Sequence, residues 1–233
     1  MSQVSPNGHR SSGKEEPLWA SLQARLLREV CHDLAGRASA IRSLSMLQGL
    51  GESGNVRGLN IESLSSEEAE RLEVLREDLE IITAPVGWDR ELLDLQAETR
   101  RMLRVLSRLG GRLASLGQIV LPEGDPPPIR SFPTRLRRLL LIALEQVLLS
   151  AEKEGDGRML VQVLGAGDRS KLRMRLEPER ISSPKPSVRK PKVPRALVSD
   201  LDVEWTWRLV DRARELTLSF PPYRRPTSRG TAP

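Results

Sequence analysis

His32 is the residue of this chain best suited to do chemistry. The chain has two histidines, and the other, His9, lies in a polar N-terminal stretch. An unprotonated imidazole nitrogen is a nucleophile and a proton acceptor near neutral pH. The carboxylate of Asp33 follows directly in sequence, where it can orient the ring or hold a proton. The segment Cys31-His32-Asp33-Leu34 is therefore the first candidate for a catalytic site.

Apolar spacing places His32 on the polar face of a long helix, expected from Leu18 to Gln48. At about 100° per residue, one apolar stripe forms, and His32 falls roughly 150° from its centre. Arg25, Arg28 and Gly36 share the face of His32. We therefore expect an exposed ring, with two arginines that can attract an anionic group or a partner's acidic pocket. The stripe consists of Trp19, Leu22, Leu26, Leu27, Val30, Leu34, Ile41 and Leu44.

The residues around His32 resemble the phospho-acceptor box of two-component histidine kinases. In that box an apolar residue lies six positions before the histidine, as Leu26 does, and an acid and a leucine follow it. The family then has a basic residue, a Thr or Asn, and a proline, where this chain has Ala35-Gly36-Arg37. The resemblance implies that His32 accepts a phosphoryl group. Family members with phosphatase activity align water with the Thr or Asn, so Gly36 predicts weak or absent phosphatase activity.

Composition excludes several classes of protein. The 233 residues carry a net charge of +6, with 37 basic and 31 acidic side chains. The single cysteine excludes an intramolecular disulfide and paired cysteine ligands, and we expect no bound metal. No apolar run approaches about 18 residues, so no membrane span is expected. The start of the chain does not resemble a signal peptide, and we expect a cytoplasmic protein.

The excess of basic residues lies mainly at Arg135, Arg137 and Arg138 and in the stretch 185–195, and the tail at 223–233 adds to it. These clusters show no aromatic interleaving and no recognised DNA-binding motif, so the pattern does not favour a nucleic-acid partner.

The chain divides into segments of different texture. Residues 1–16 form a polar lead-in that we expect to be disordered, and residues 17–84 form a hairpin of two amphipathic helices. A capping box, Ser65-x-x-Glu68, opens the second helix and Pro85 ends it. A hairpin cannot bury two apolar stripes alone, so we expect a homodimer with a four-helix bundle. The alternative is a hairpin packed on the rest of its own chain.

Residues 85–222 predict an α/β sandwich, with a mixed sheet and helices on one face, so that the whole chain is α+β. A flexible, proline-rich and basic segment is expected at 182–195. The expected helices are Trp88–Leu109, Pro133–Ala151 and Glu204–Ala213, and the expected strands are Arg112–Val120, Arg158–Leu164, Lys171–Leu176 and Leu216–Phe220.

This second half resembles the ATP-binding domain of histidine kinases, through Pro85–Leu93, Leu121-Pro122-Glu123 and Pro133–Leu140. In that family one helix carries two asparagines, the second a ligand of Mg²⁺. The matching positions here are Ile142 and Gln146. An isoleucine offers no hydrogen bond, and a glutamine is one methylene too long.

The family's glycine-rich motifs are also missing. Glu177-Pro178-Glu179-Arg180 follows the second hairpin strand, and Pro184–Arg195 stands in place of the second glycine-rich lid. We therefore expect an ATPase-like scaffold without a bound cofactor; the alternative is an Mg-ATP site with divergent contacts.

Taken together, the motifs resemble most the dimeric histidine phosphotransferases of bacterial phosphorelays. The resemblance implies that His32 exchanges a phosphoryl group with an aspartate of a response-regulator receiver domain, assisted by Asp33. Two other hypotheses stay open. The chain is either an ATP-dependent histidine kinase with unusual nucleotide contacts, or a non-catalytic dimeric adaptor that binds a receiver.

Overall fold

The structure is a computed structural model that describes residues 16–51, 61–110, 126–154, 158–177, 190–211 and 213–222. It divides into two compact units. One contains Ser21–Pro85, and the other contains Val86–Pro233 with the start of the first helix as far as Ala20. The expected strand Arg112–Val120, the tail 223–233 and nearly all of the lead-in 1–16 lie outside the described residues.

The first unit is an antiparallel helical hairpin, as the sequence predicts. Helix α1 runs over Glu16–Gly51 and helix α2 over Ile61–Thr83. Gln23, near the start of α1, donates from Nε2 to the Ile82 carbonyl near the end of α2, at 2.8 Å. Further along α1, Arg37 donates from Nη1 to Oε1 of Glu68 at 3.0 Å. Early residues of one helix therefore meet late residues of the other.

The apolar stripe of α1 is buried in its first half and partly exposed in its second half. Leu22, Leu26 and Val30 are almost inaccessible to solvent, as are Leu75 and Ile82 of α2. Burying a side chain of this size contributes about 1.5–3 kcal/mol to stability. Further along α1, Ile41 and Leu44 are only half-buried. The hairpin therefore leaves part of its apolar surface in contact with water.

The predicted capping box at Ser65 is wrong. Helix α2 begins at Ile61, so Ser65 lies inside the helix rather than at its N-terminus. Glu68 instead faces α1 and binds Arg37. A Ser-x-x-Glu pattern also fits a helix interior when the glutamate has a partner on another helix, and single-sequence spacing does not distinguish the two cases.

The second unit is an α+β domain. A two-stranded antiparallel ribbon pairs β1 with β2, and a four-stranded sheet has the order β3-β4-β6-β5. Its elements, in chain order, are β1 (Glu91–Leu93), α3 (Leu95–Ser107), β2 (Ile129–Ser131), α4 (Pro133–Glu154), β3 (Arg158–Ala166), β4 (Arg169–Glu177), α5 (Arg195–Asp200), β5 (Glu204–Val210) and β6 (Ala213–Ser219).

Helix α4 packs against β4 of the four-stranded sheet, and the described strands are all antiparallel rather than mixed as expected. Residues of β4 alternate between buried and half-buried positions. Leu172 and Met174 point to the buried side, where their register partners are Leu218 and Leu216 of β6. Helix α4 contacts α3, α5 and β4. The core of the domain therefore lies between α4 and the sheet.

An ion pair between the buried Glu98 of α3 and the half-buried Arg137 of α4 joins the two helices. Arg137 donates from Nε to Oε2 of Glu98 at 2.7 Å and from Nη2 to Oε1 at 3.1 Å. The hydrogen bond to Glu98 raises the pKa of Arg137 above its usual value, and the nearby negative charge of Glu91 adds to the effect. A two-point contact of this kind fixes orientation as well as distance.

Two expected helices are corrected by the structure. The stretch expected as a helix from Trp88 instead contains β1, and α3 starts after Asp94, whose carboxylate accepts from Gln96 N and Ala97 N at 2.8 and 3.2 Å. The expected helix Glu204–Ala213 is strand β5, in which Trp205 and Trp207 alternate with Thr206. The period-two alternation was the better guide in that segment.

Part of the expected flexible segment is packed. Residues 178–189 lie outside the described part of the chain. From there, Pro191, Val193 and Pro194 are buried and lead directly into α5 at Arg195.

Candidate functional site

His32 lies on α1 with its side chain 84% exposed, which agrees with the helical-face argument from the sequence. Its Nδ1 atom lies 3.8 Å from Oδ1 of Asp33. This separation is too long for a hydrogen bond but short enough for an electrostatic interaction. The ring is therefore accessible to a large partner, and the nearest carboxylate lies on the Nδ1 side.

Arg25 and Arg28 precede His32 on the same face of α1, two turns and one turn away. Arg28 is exposed and Arg25 is half-buried. Residues seven and four positions apart on a helix project in similar directions, so both arginines border the approach to the imidazole. The α1 surface before His32 therefore carries two cations together with the carboxylate of Glu29, which is half-buried on the same face.

The α1 surface after His32 consists of small residues. Ala35, Gly36, Ser39 and Ser43 are all exposed. Ser39 donates from Oγ to the Ala35 carbonyl and Ser43 to the Ser39 carbonyl, each at 3.0 Å. Their hydroxyl groups are thus bonded within the helix, as is common for serine in a helix interior. Because these side chains are short, they do not hinder a partner that approaches the backbone of α1.

Gly36 lies in open space. A Cβ atom added at this position would meet no heavy atom within 4 Å. Gly36 is part of a regular helix, so a residue with a side chain fits there without backbone strain. Substitutions at Gly36 therefore test chemistry rather than packing.

The two contacts that fix the hairpin place Glu73 of α2 level with His32. Gln23 pairs with Ile82 and Arg37 pairs with Glu68, so equal numbers of residues separate the two contacts on α1 and on α2. His32 lies nine residues after Gln23, and Glu73 lies nine residues before Ile82. Arg76 pairs with both Glu73 and Glu80. The hydrogen bond from Arg76 holds the pKa of Glu73 below its usual value. The α2 residues at this level therefore form an exposed network of charges.

Sequence reasoning missed the role of Arg37. In the sequence Arg37 occupies a position where the phospho-acceptor box has another residue type, yet it makes a salt bridge to α2. Glu68 is buried and also accepts from Arg71. Burial raises the pKa of Glu68, but hydrogen bonds from Arg71 and Arg37 outweigh it, so the pKa is lower than usual. No signal in a single sequence would have paired residues 31 positions apart.

The two positions that the resemblance assigns to nucleotide ligands both lie on α4. Ile142 of α4 is completely buried and has no donor or acceptor. Gln146, one turn later, is half-buried. Pro178–Arg180 and the first half of Pro184–Arg195, residues 184–189, lie outside the described residues. The side chain at position 142 belongs to the core of the domain.

Within the described ranges, no group of three His, Cys, Asp or Glu side chains is arranged to hold a metal ion. None of the helices described is both long and apolar enough to cross a membrane. Cys31 is exposed beside His32 and forms no disulfide.

Comparison with known proteins gives similar solved structures. No protein-family model and no curated protein matches the chain. The Acinetobacter baumannii histidine kinase AdeS is 15% identical over 83% of this chain and 98% of its own, with a TM-score of 0.43. A structure of histidine kinase ThkA in complex with response regulator protein TrrA is 11% identical over 90% of this chain and 64% of its own, with a TM-score of 0.44.

A bacterial phosphotransferase is 14% identical over 92% of this chain and 100% of its own, with a TM-score of 0.37.

Proposed function

We propose that this chain is a two-component signalling protein in which His32 accepts a phosphoryl group from a response-regulator aspartate and passes it to another. The observation that carries the proposal is the position of His32. The ring is 84% exposed on a helical hairpin, within a phospho-acceptor-like segment and next to two arginines on the same helix face.

The proposed step exchanges one bond for another. An unprotonated ring nitrogen attacks the phosphorus of the receiver's aspartyl phosphate, an N–P bond forms, and the P–O bond to the aspartate breaks. The carboxylate leaves with the electron pair of that bond. Because Asp33 lies on the Nδ1 side, it favours a proton on Nδ1 and leaves Nε2 as the attacking atom. The reverse reaction transfers the phosphoryl group from His32 to the aspartate of the next receiver.

Arg25 and Arg28 favour the approach of an anion. A guanidinium group is a good partner for phosphoryl oxygens and for carboxylates. Their distance from the ring, one to two helical turns, suits contact with the receiver surface better than contact with the transferring group. They would therefore affect the rate of association more than the chemical step.

The small residues after His32 provide a surface on which a receiver can dock. Ala35, Gly36 and Ser39 allow a partner helix to approach the α1 backbone closely. Since the serine hydroxyls are already bonded to backbone carbonyls, covering them with a partner leaves no unsatisfied donor.

Two hairpins pair in the proposed protein. Ile41 and Leu44 of α1, with Leu72 and Leu79 of α2, are only half-buried in the single chain. Pairing with a second hairpin would remove their apolar surface from water.

The second unit acts in this proposal as a scaffold without nucleotide chemistry. The burial of Ile142 supports this role, because no nucleotide or magnesium ligand can be supplied from that position. The phosphoryl donor is then another protein rather than ATP.

Transfer of a phosphoryl group from a phosphorylated receiver domain to the chain tests the proposal. Purified receiver domains, phosphorylated with radiolabelled acetyl phosphate and freed of the reagent, are incubated with the chain. Label should move to the chain within minutes and should show the acid lability and base stability of phosphohistidine. The His32→Gln variant should take up no label, and Cys31→Ser, which changes the neighbouring residue, should take up as much as the unaltered chain.

A second arm with radiolabelled ATP and magnesium separates the alternatives. Labelling of His32 by ATP alone would show an autokinase. Binding of a receiver without transfer from any member of the panel would show an adaptor. Either result would overturn the proposed function.

A further inference from the structure

The two-stranded ribbon of the second unit exposes an unusual set of side chains. Five large apolar side chains are exposed among the described residues, and three of them, Val86, Trp88 and Leu92, lie within one seven-residue segment. Trp88 is the most exposed of the five, at 66%. Exposed tryptophan is uncommon unless the surface binds something, because a large ring in water loses the free energy of burial.

Strand register places Leu92 and Arg130 on one side of the ribbon. Trp88 precedes β1 and shares the guanidinium of Arg135 with Phe132. Leu92 pairs with Arg130 across β1 and β2, and both are exposed, whereas Leu93 and Ile129 next to them are buried. Two residues earlier, Arg90 lies opposite Phe132, and its guanidinium is 4.9 Å from the centre of that ring. We call this set the ribbon face: Trp88, Arg90, Leu92, Arg130 and Phe132.

Arg135 holds the aromatic part of the ribbon face in place. Its guanidinium lies 4.4 Å from the centre of the Trp88 ring and 5.1 Å from the centre of Phe132. Asp200 of α5 accepts from the same guanidinium at 2.6 Å. The side chain of Arg135 is only 11% exposed. The guanidinium of Arg135 thus packs on the Trp88 ring and restricts its motion. Because the ring is already restricted, little conformational entropy is lost when a partner covers it.

The surface carries two exposed cations and the exposed carboxylate of the neighbouring Asp89, so its net charge is positive. Arg90 and Arg130 are exposed, and the nearby Arg135 is balanced by Asp200. Glu91 alternates to the other side of β1, where its charge acts on Arg137. A partner of the ribbon face must therefore be acidic as well as apolar. Tryptophan and arginine are also the residues most enriched where protein interfaces gain their binding energy.

We propose that the ribbon face binds an extended acidic peptide segment. Its carboxylates pair with Arg90 and Arg130, and an apolar side chain packs on Trp88 and Leu92. β1 and β2 pair only with each other in the described part of the chain, so an extended segment can lie along the ribbon.

Single-stranded nucleic acid fits this surface less well. It binds through several bases that stack on exposed rings. Two guanidinium groups already lie over Phe132, which leaves Trp88 as the exposed ring of the ribbon face.

Fluorescence anisotropy with the full chain tests this inference. The probe is a fluorescein-labelled peptide of sequence EDELEFEDELDE, and binding should be saturable. Trp88→Ala, and separately Arg90→Glu with Arg130→Glu, should each weaken binding by about tenfold or more. Leu209→Ala removes an exposed apolar side chain from β5 and should change binding by less than twofold. Circular dichroism melting checks that each variant folds, and Leu92→Ser replaces Trp88→Ala if the latter does not.

Three results would overturn the inference. These are no binding of the peptide, equal binding of a peptide with serine in place of Leu and Phe, or undiminished binding by the ribbon-face variants. A labelled dT12 oligonucleotide is the last arm. Tighter binding of dT12, lost in the same variants, would assign the face to nucleic acid instead.

Discussion

Arg37 of α1 reaches across the hairpin to Glu68 of α2, with Nη1 3.0 Å from Oε1 and 3.2 Å from Oε2. Arg71 donates to the same carboxylate from the α2 side. Glu68 is buried between the two cations, so its negative charge has to be kept for the arrangement to be stable.

Acid should weaken the hairpin through Glu68. Its pKa is lower in the folded chain than the usual 4.5, so the unfolded chain takes up the proton first as pH falls. The stabilising effect is complete above about pH 5 and is lost as pH falls through the folded pKa. Urea unfolding should show Glu68→Gln to be less stable at pH 7, with a difference that shrinks towards pH 3.

The control for this measurement is Glu67→Gln. Glu67 is exposed, and its Oε2 lies 3.4 Å from Nη2 of Arg71. Its substitution should leave the pH dependence nearly unchanged. A constant difference between Glu68→Gln and the unaltered chain at every pH would contradict the prediction.

Restoring an asparagine at position 142 should destabilise the second unit rather than create a nucleotide site. Ile142 is completely buried, and an unpaired amide there adds a desolvation penalty to the lost packing. Ile142→Asn should lower the free energy of unfolding by about 3 kcal/mol or more, and Ile142→Val by about 1 kcal/mol. Chemical denaturation measures both changes. A stable Ile142→Asn variant that binds Mg-ATP by calorimetry would show that position 142 borders a nucleotide pocket.

Gly36→Asn should add phosphatase activity towards a phosphorylated receiver. The amide would lie one helical turn after His32, where it could align water, and the structure has room for it. Release of inorganic phosphate from a charged receiver should increase several-fold. Gly36→Ala is the matched control, since it adds a side chain without a hydrogen-bonding group. No gain with asparagine over alanine would leave the role of Gly36 unsupported.

A charge in the half-buried stripe should prevent dimer formation. Leu44→Glu would place a carboxylate where the second hairpin is expected to pack, at a cost of several kcal/mol for an unpaired buried charge. Sedimentation should show a dimer for the unaltered chain and a monomer for the variant. Met46→Glu is the control, because Met46 is 57% exposed and lies on the opposite side of α1. A monomeric unaltered chain would refute the proposed pairing.

The helices of the hairpin were predictable because their apolar residues follow the helical period over several turns. The position of His32 followed from the same period, since a residue far from the apolar stripe must face water. The strands Arg158–Ala166 and Arg169–Glu177 were also predictable, because alternating residues flank a Gly167-Asp168 turn. Gly167 adopts a positive φ of 65°, which glycine allows at little cost.

Other features depended on contacts that a single sequence does not encode. The stretch after Trp88 has leucines at helical spacing, yet Asp94 caps the helix later and leaves residues 91–93 to pair with β2. The segment that contains Trp205 and Trp207 is predicted as a helix from the sequence, but pairing with β6 makes it a strand. In both segments a partner distant in sequence overrides the local pattern.

The open position of His32 has a consequence for the direction of signalling in the proposed relay. An imidazole that faces water on a helix surface is equally accessible to both regulators. The chain itself therefore does not determine the direction of phosphoryl transfer. Phosphoryl groups would move towards the response regulator that has the lower phosphorylated fraction. An inhibitor that keeps one regulator phosphorylated would then raise the phosphorylated fraction of the other, although the two regulators do not contact each other.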